Sequence, residues 1–313
     1  MFLTANSGGK RYRRRVRIWL SLILALSVVF VLNPLPASAG GWKLVFQDNF
    51  DGNALNRDAW YTRYIYNNGT LDHLHKEKEA YSDHDNHVVS NGILSLVIRK
   101  VGDDSQPRPY ESGMIRSHQL FHYGYFEARV KLPSGKGLWP AFWLNSDYDK
   151  NGRLGWPPEI DIFEYVFNGI TEHPDMIHSN VAVSKTNKAQ DGTWIYSDPD
   201  FHQKFFFYKA PEDLTQDWHT FGLLWDTDDT ASVFIDGKQL WKRKYLWVYK
   251  DGAEAGPAHI IFNLAIGGGW AGKGGIDDSK IPAALQIDYI RVCQRSDAPD
   301  AQPRCGDSPL TPP

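Results

Sequence analysis

Sulfur is scarce in this chain: 313 residues contain two cysteines and three methionines. Two cysteines cannot build the disulfide framework of a small scaffold, and no Cys-x-x-Cys pair suggests a zinc or redox motif. Positive charge is not in excess either. With 34 basic and 37 acidic residues the formal charge is −3, which excludes a strongly basic nucleic-acid binder. Helical periodicity is nearly absent, and 27 glycines with 18 prolines argue against a helical bundle. There is no internal repeat. What is abundant is the aromatic ring: 12 Trp, 15 Tyr and 16 Phe. Such residues favour strands and flat apolar binding surfaces.

The near-zero charge hides an asymmetry. Residues 1–39 carry Lys10, Arg11, Arg13, Arg14, Arg15 and Arg17 and no acid. An apolar run over 18–32 follows, then Pro36-Ala37-Ser38-Ala39. A basic segment, an apolar segment too short for a span and an A-x-A site together read as a signal peptide cleaved after Ala39. The adjacent arginines also permit a twin-arginine route. Residues 40–313 hold 28 basic and 37 acidic residues, a formal charge of −9. Nucleic acid and anionic membranes are therefore poor partners, because phosphates are repelled. The mature chain is expected to act as a secreted monomer. In an oxidising compartment Cys293 and Cys305, twelve positions apart, are expected to form one disulfide.

Strand signals fill the mature chain. Residues 88–100 read as two strands around an Asn91-Gly92 turn, and residues 219–240 end in an Asp236-Gly237 hairpin. Residues 123–132, 259–266 and 285–292 are further alternating or β-branched runs. Many short strands with Gly, Pro, Asn and Asp between them indicate an all-β sandwich. One short helix is expected over 210–216. No linker divides the chain, so residues 40–295 are read as one domain and 296–313 as a tail.

The densest chemistry is Glu159-Ile160-Asp161-Ile162-Phe163-Glu164. On a regular strand Glu159 and Asp161 share a face, and Glu164 falls on the other with Ile160 and Ile162. That face suits the core and not a carboxylate. A β-bulge near Ile162-Phe163 resolves the conflict by returning Glu164 to the side of the other two acids. Three like charges on one face repel, so the arrangement points to chemistry. Two carboxyls facing one another across a sugar, about 5–5.5 Å apart, perform retaining glycoside hydrolysis. In that reading Glu159 is the nucleophile and Glu164 the acid/base. Asp161 assists the nucleophile and helps keep Glu164 protonated by like-charge repulsion.

These six residues resemble the active-site strand of glycoside hydrolase family 16 in its bulged form. The resemblance continues in order along residues 44–294. It takes in Phe46-Gln47-Asp48-Asn49-Phe50-Asp51, Gly137-Leu138-Trp139-Pro140-Ala141-Phe142-Trp143-Leu144, Asn263-Leu264-Ala265-Ile266-Gly267-Gly268 and Gln286-Ile287-Asp288-Tyr289-Ile290-Arg291-Val292. It implies a β-jelly-roll of two curved antiparallel sheets with a concave substrate cleft. It implies endo-acting, retaining hydrolysis of a β-linked polysaccharide of the β-1,3- or β-1,3-1,4-glucan type, with the roles given above. No cofactor is required for catalysis, and the family implies one structural calcium, held here by Asp288 with carbonyls near Asn49 and Gly92. The stretch Trp60-Tyr61-Thr62-Arg63-Tyr64 with Tyr81-Ser82-Asp83 is similar to the branch that depolymerises bacterial exopolysaccharides of the succinoglycan type. Transglycosylation and a non-catalytic carbohydrate-binding sandwich are the remaining alternatives.

Around the acids, Trp139, Trp143 and Trp270 are candidate stacking platforms for sugar C–H faces, and Arg116 a hydroxyl ligand. Trp156 reads as a rim contact or as loop packing. His178 and Asn180 share a face on the following strand. Asn180-Val181-Ala182 stands where many relatives with β-1,3-glucan activity carry Thr-x-His. The histidines at 73, 75, 84 and 87 read as a solvated loop at the rim rather than as a zinc site.

Overall fold

The structure, a computed structural model, describes residues 42–74, 76–182, 206–295, 304–305 and 308–309. The expected leader 1–39 lies outside the described residues, as do His75 and most of the tail. The first strands are β1 (Trp42–Asp48), β2 (Trp60–Tyr61), β3 (Glu79–Tyr81), β4 (His87–Ser90), β5 (Ile93–Lys100) and β6 (Tyr110–Ser112). Next come β7 (Met114–Ser117), β8 (Gly124–Lys131), β9 (Leu138–Ser146), β10 (Glu159–Glu164), β11 (Met176–Ala182) and β12 (Phe206–Lys209). The last long ones are β13 (Trp218–Trp225), β14 (Thr230–Ile235), β15 (Lys238–Lys244), β16 (Ala258–Ile266) and β17 (Ala283–Arg295).

These strands form two sheets. One runs β15-β14-β13-β8-β17-β5-β6-β3, with β1 added to β17 and β4 to β5. The other runs β12-β11-β10-β9-β16-β7-β2 and carries the acidic strand near its middle. Among the described residues the pairings are antiparallel except β3 with β6, which is parallel and departs from the expected all-antiparallel arrangement. The two hairpin signals are used as anticipated. Asn91 and Gly92 (φ 54° and 74°) and Asp236 and Gly237 (46° and 73°) adopt the left-handed backbone that tight two-residue hairpins need.

Alternation decides what each strand buries. On β5, Leu94, Leu96 and Ile98 face inward and their neighbours are partly exposed. The inner faces of both sheets meet in one core, which includes Phe142, Ile160, Ile162, Phe163, Phe221 and Phe262. Each such side chain contributes about 1.5–3 kcal/mol by leaving water. Phe163 of β10 and Phe221 of β13 lie 4.3 Å apart between ring centroids and tie the acidic strand to the opposite sheet. A smaller cluster, including Tyr64, Tyr81, Met114, Trp143 and Ile261, covers the other face of the seven-stranded sheet. On β16 every residue is buried, because one face meets the core and the other meets this cluster.

The expected helix over 210–216 does not form. Those residues make turns instead, and the Asp213 carboxylate accepts from the Thr215 amide at 2.8 Å and its hydroxyl at 2.7 Å. A short acidic side chain that satisfies nearby main-chain donors competes with helix at such a site. Cys293 is buried on β17, in a cluster with Trp42, Tyr125 and Leu224.

Candidate active site

The register of β10 carries the expected bulge. Against β9, Asp161 faces Trp143 and Phe163 faces Phe142, so two steps on β10 match one on its neighbour. Against β11, Asp161 faces Asn180 and Glu164 faces His178. Ile162 and Phe163 therefore both turn into the core, each fully buried. Glu159, Asp161 and Glu164 all turn outward and line one cavity, with Trp139 and Trp143 beside them.

Each outer carboxyl receives an indole N–H. Trp139 Nε1 donates to Glu164 Oε1 at 3.1 Å, and Trp156 Nε1 donates to Glu159 Oε2 at 3.2 Å. The start of the strand is held by Tyr245. Its hydroxyl accepts from the Glu159 amide at 2.9 Å and faces the carbonyls of Glu159 and Ala182, each at 3.0 Å. Asp161 is 8% exposed, and Glu159 and Glu164 are half-buried.

Burial and proximity hold protons on this set. Glu159 is raised above the usual carboxylate range, first by burial and then by the charge of Glu164. Glu164 is pushed up to about 7, first by burial; the Trp139 bond opposes this and the charge of Glu77 adds to it. Asp161 is raised well above the usual carboxylate range by burial, then by Glu159 and Glu164. Its protonated form is thereby favoured, and in that form it can donate a hydrogen bond.

The other anticipated residues share this face but differ in role. Trp143 is 6% exposed and forms the cavity floor; its Nε1 donates to Asn263 Oδ1 at 2.8 Å. Trp270 is half-buried beside Trp139, with ring centroids 5.2 Å apart and planes at 79°. His178 and Trp270 converge on one carboxylate. His178 Nε2 lies 2.5 Å from Glu172 Oε2, and Trp270 Nε1 donates to Glu172 Oε1 at 3.2 Å. Asn180 is half-buried opposite Asp161. Arg116 sits on β7, three strands from β10, and is 5% exposed. It donates to the Arg63 carbonyl at 3.1 Å, lies 2.9 Å from His259 Nε2 and stacks on Tyr61 at 4.1 Å. It therefore lies outside the cavity around the three acids.

Asp288 is not a free carboxylate. Its carboxylate is engaged by Arg129 Nη1 at 2.7 Å, so a cation would have to compete with a guanidinium. Among the described residues no group of three or more His, Cys, Asp or Glu is arranged to hold a metal. The rim histidines have other partners. His73 contacts Asp72, His84 contacts Glu111, and His87 Nε2 bonds the Met114 carbonyl.

Three polar residues of the site were not anticipated as such: Tyr64, Glu77 and Asn263. Asn263 had a signal, since it is the one amide in the apolar run of β16. Glu77 had none beyond its place just before a strand.

A family model described as "Beta-porphyranase A-D, GH16 domain" matches residues 42–294. The chain belongs to glycoside hydrolase family 16. This family 16 hydrolase is 30% identical over 294 residues to a beta-glucanase of Rhodothermus marinus, covering 90% of this chain and 95% of that one. It is similar in structure to the laminarinase from Rhodothermus marinus, with a TM-score of 0.64, 28% identity and coverage of 82% and 98%. It is also similar to SCLam, described as a non-specific endo-beta-1,3(4)-glucanase, with a TM-score of 0.63, 29% identity and coverage of 82% and 92%. The two sheets are those of the family's β-jelly-roll.

The indole bond to Glu164 makes one outcome specific. Trp139→Phe removes a donor that stabilises the charged carboxylate. The alkaline limb of the kcat/KM profile of this family 16 enzyme should then move to higher pH, with KM raised if the ring also carries a sugar. A profile with its alkaline limb unmoved counts against the bond.

Proposed function

We propose that this enzyme is a secreted, retaining, endo-acting hydrolase of a β-1,3- or mixed β-1,3-1,4-linked glucan. Glu159 is its nucleophile and Glu164 its acid/base. The observation that carries the reading is the β10 bulge, which turns both glutamates and Asp161 toward one cavity and gives each glutamate an indole donor. The relatives named above as a beta-glucanase, a laminarinase and an endo-beta-1,3(4)-glucanase support the substrate class.

The chemistry follows from the placement. A Glu159 carboxylate oxygen attacks the anomeric carbon while the bond to the leaving oxygen breaks, and that oxygen takes the proton of Glu164. Asp161, in its protonated form, is positioned as a donor for the Glu159 charge. Water then enters and gives a proton to Glu164. Its oxygen bonds to the anomeric carbon, and Glu159 is released as carboxylate. Two displacements return the starting configuration. Trp139 supplies an apolar edge for the sugar, and Trp143 the floor.

Residues 1–39 are the export signal in this reading, and Cys293 pairs with Cys305 in the secreted chain. A panel of laminarin, lichenan, barley glucan, porphyran and succinoglycan tests the whole proposal. Short oligosaccharides should form early from laminarin or a mixed-linkage glucan, with the β anomer appearing first by NMR. Cleavage confined to porphyran or succinoglycan would overturn the glucan reading, and a first-formed α anomer would overturn retention. Intact mass of the secreted product should show a chain starting at Gly40 and two hydrogens short of the dithiol.

A further inference from the structure

An aromatic strip runs outward from the acid/base toward the edge of the seven-stranded sheet. Trp139, whose indole bonds Glu164, lies edge-on to Trp270 with ring centroids 5.2 Å apart. Trp270 lies edge-on to His178 at 4.8 Å, and His178 lies 6.4 Å from Phe207 on β12. Hydrogen bonds tie down the first three rings. Beyond the Trp139 bond, Glu172 holds His178 and Trp270 through its two carboxyl oxygens, at 2.5 and 3.2 Å. Asn168, itself fully buried, accepts from the Glu172 amide at 3.1 Å and donates to the Trp270 carbonyl at 3.2 Å.

Phe207 differs from the other three. It is 64% exposed, and its ring has no polar atom with which to meet water. Its backbone is fixed by pairing with β11, where Ile177 faces Tyr208 and His178 faces Phe207. Ile177 and Tyr208 pack toward the core, so His178 and Phe207 stand on the opposite face, the one that carries the acids. Register puts this pair in line with the acid/base. Phe207, His178, Glu164, Ala141, Asn263 and Met114 face one another in turn across β12, β11, β10, β9, β16 and β7. Toward β7 this row ends under packed side chains, since Met114 is fully buried in the cluster with Tyr64 and Tyr81. Toward β12 it ends on the exposed face of Phe207.

We propose that this strip is the binding track for the sugar units on the leaving side of the scissile bond, with Phe207 as its outer stacking platform. The leaving oxygen must touch Glu164 to take its proton. The units attached to that oxygen therefore start on the Glu164 row and extend in its open direction. β12 lies two strands from β10, about 10 Å away and about the span of two sugar rings, so Phe207 meets the second leaving unit. A ring without hydroxyl or charge selects the apolar C–H face of a neutral sugar. The proposal rests on a polysaccharide substrate and on Glu164 being the acid/base.

Oligosaccharides of graded length test the track. They are taken from whichever polymer the wild type cleaves, so an error in the glucan reading does not decide the outcome, and their reducing ends carry heavy oxygen to show which bond is cut. Bond-cleavage frequencies and kcat/KM are measured for wild type, Phe207→Ala and Phe207→Tyr, with thermal midpoints and sedimentation for each. Phe207→Ala should lower kcat/KM by about fivefold to tenfold for binding modes that place two or more units on the leaving side. Cleavage should then move toward the reducing end. Phe207→Tyr keeps the platform and should restore the wild-type cleavage positions. A purely structural ring would lower the midpoint, or every mode alike, and leave the cut bond where it was. Unmoved cleavage positions in Phe207→Ala, or a move toward the non-reducing end, overturn the proposal. So does a dimer lost in Phe207→Ala with cleavage unmoved, which assigns the ring to a second copy of this chain. Glu164→Ala separates the two possible errors. If it loses activity equally on the polysaccharide and on a dinitrophenyl glycoside, the acid/base assignment is at fault; if the loss is confined to the polysaccharide while cleavage in Phe207→Ala stays unmoved, the error lies with the strip.

Discussion

Glu159→Ala should lower kcat on a polysaccharide by about 10⁴-fold or more, the scale seen when a member of a catalytic unit is removed. The fold should survive, because the lost carboxyl is half-buried in a crowded acidic set and its removal relieves repulsion. Azide identifies the role. The small anion fits the vacated space and attacks the anomeric carbon from the side that Glu159 occupied, while Glu164 still protonates the leaving oxygen. The product is a glycosyl azide of α configuration. Wild-type turnover in the variant, or a β-azide, would sink the assignment of Glu159 as nucleophile.

Glu164→Ala should behave differently. General acid catalysis is worth about 10²–10⁴-fold, so hydrolysis of a polysaccharide should fall by that order. A dinitrophenyl glycoside, whose leaving group needs no proton, should still undergo the first displacement and accumulate the covalent intermediate. Azide should then give the β-azide, by attack on that intermediate. The alkaline limb should vanish if Glu164, which burial raises above the usual carboxylate range, is the acid whose deprotonation ends activity in the wild type. An equal loss on both substrates would show that Glu164 is not the acid.

The bulge shows how far local pattern reaches. Strict alternation sends Glu164 toward Ile160 and Ile162, and the conflict between an acid and an apolar face is enough to place the irregularity at Ile162-Phe163. The same alternation, with the Trp-Pro-Ala-Phe-Trp run, placed Trp139 and Trp143 beside the acids. Pattern failed where the partner lies far along the chain. Arg116 looked available for a sugar, but the Arg63 carbonyl and His259 engage it from other segments. Asp288 looked like an isolated acid, but Arg129 on the adjacent β8 pairs with it. Asp161 looked like a plain carboxylate, but burial and the two glutamates beside it favour its protonated form.

Local order along the chain was therefore sufficient for the all-β class, the two tight hairpins, the bulged strand and the three outward acids. These depend on side-chain alternation and turn chemistry, which act over two to six neighbouring residues. Whether a polar group is engaged, neutral or charged depended on packing between segments. Glu77 reaches the cavity because its backbone bridges Gly267, 190 positions away. Desolvation and Coulomb energies are set by burial and distance, and neither can be read until the sheets have closed over the site.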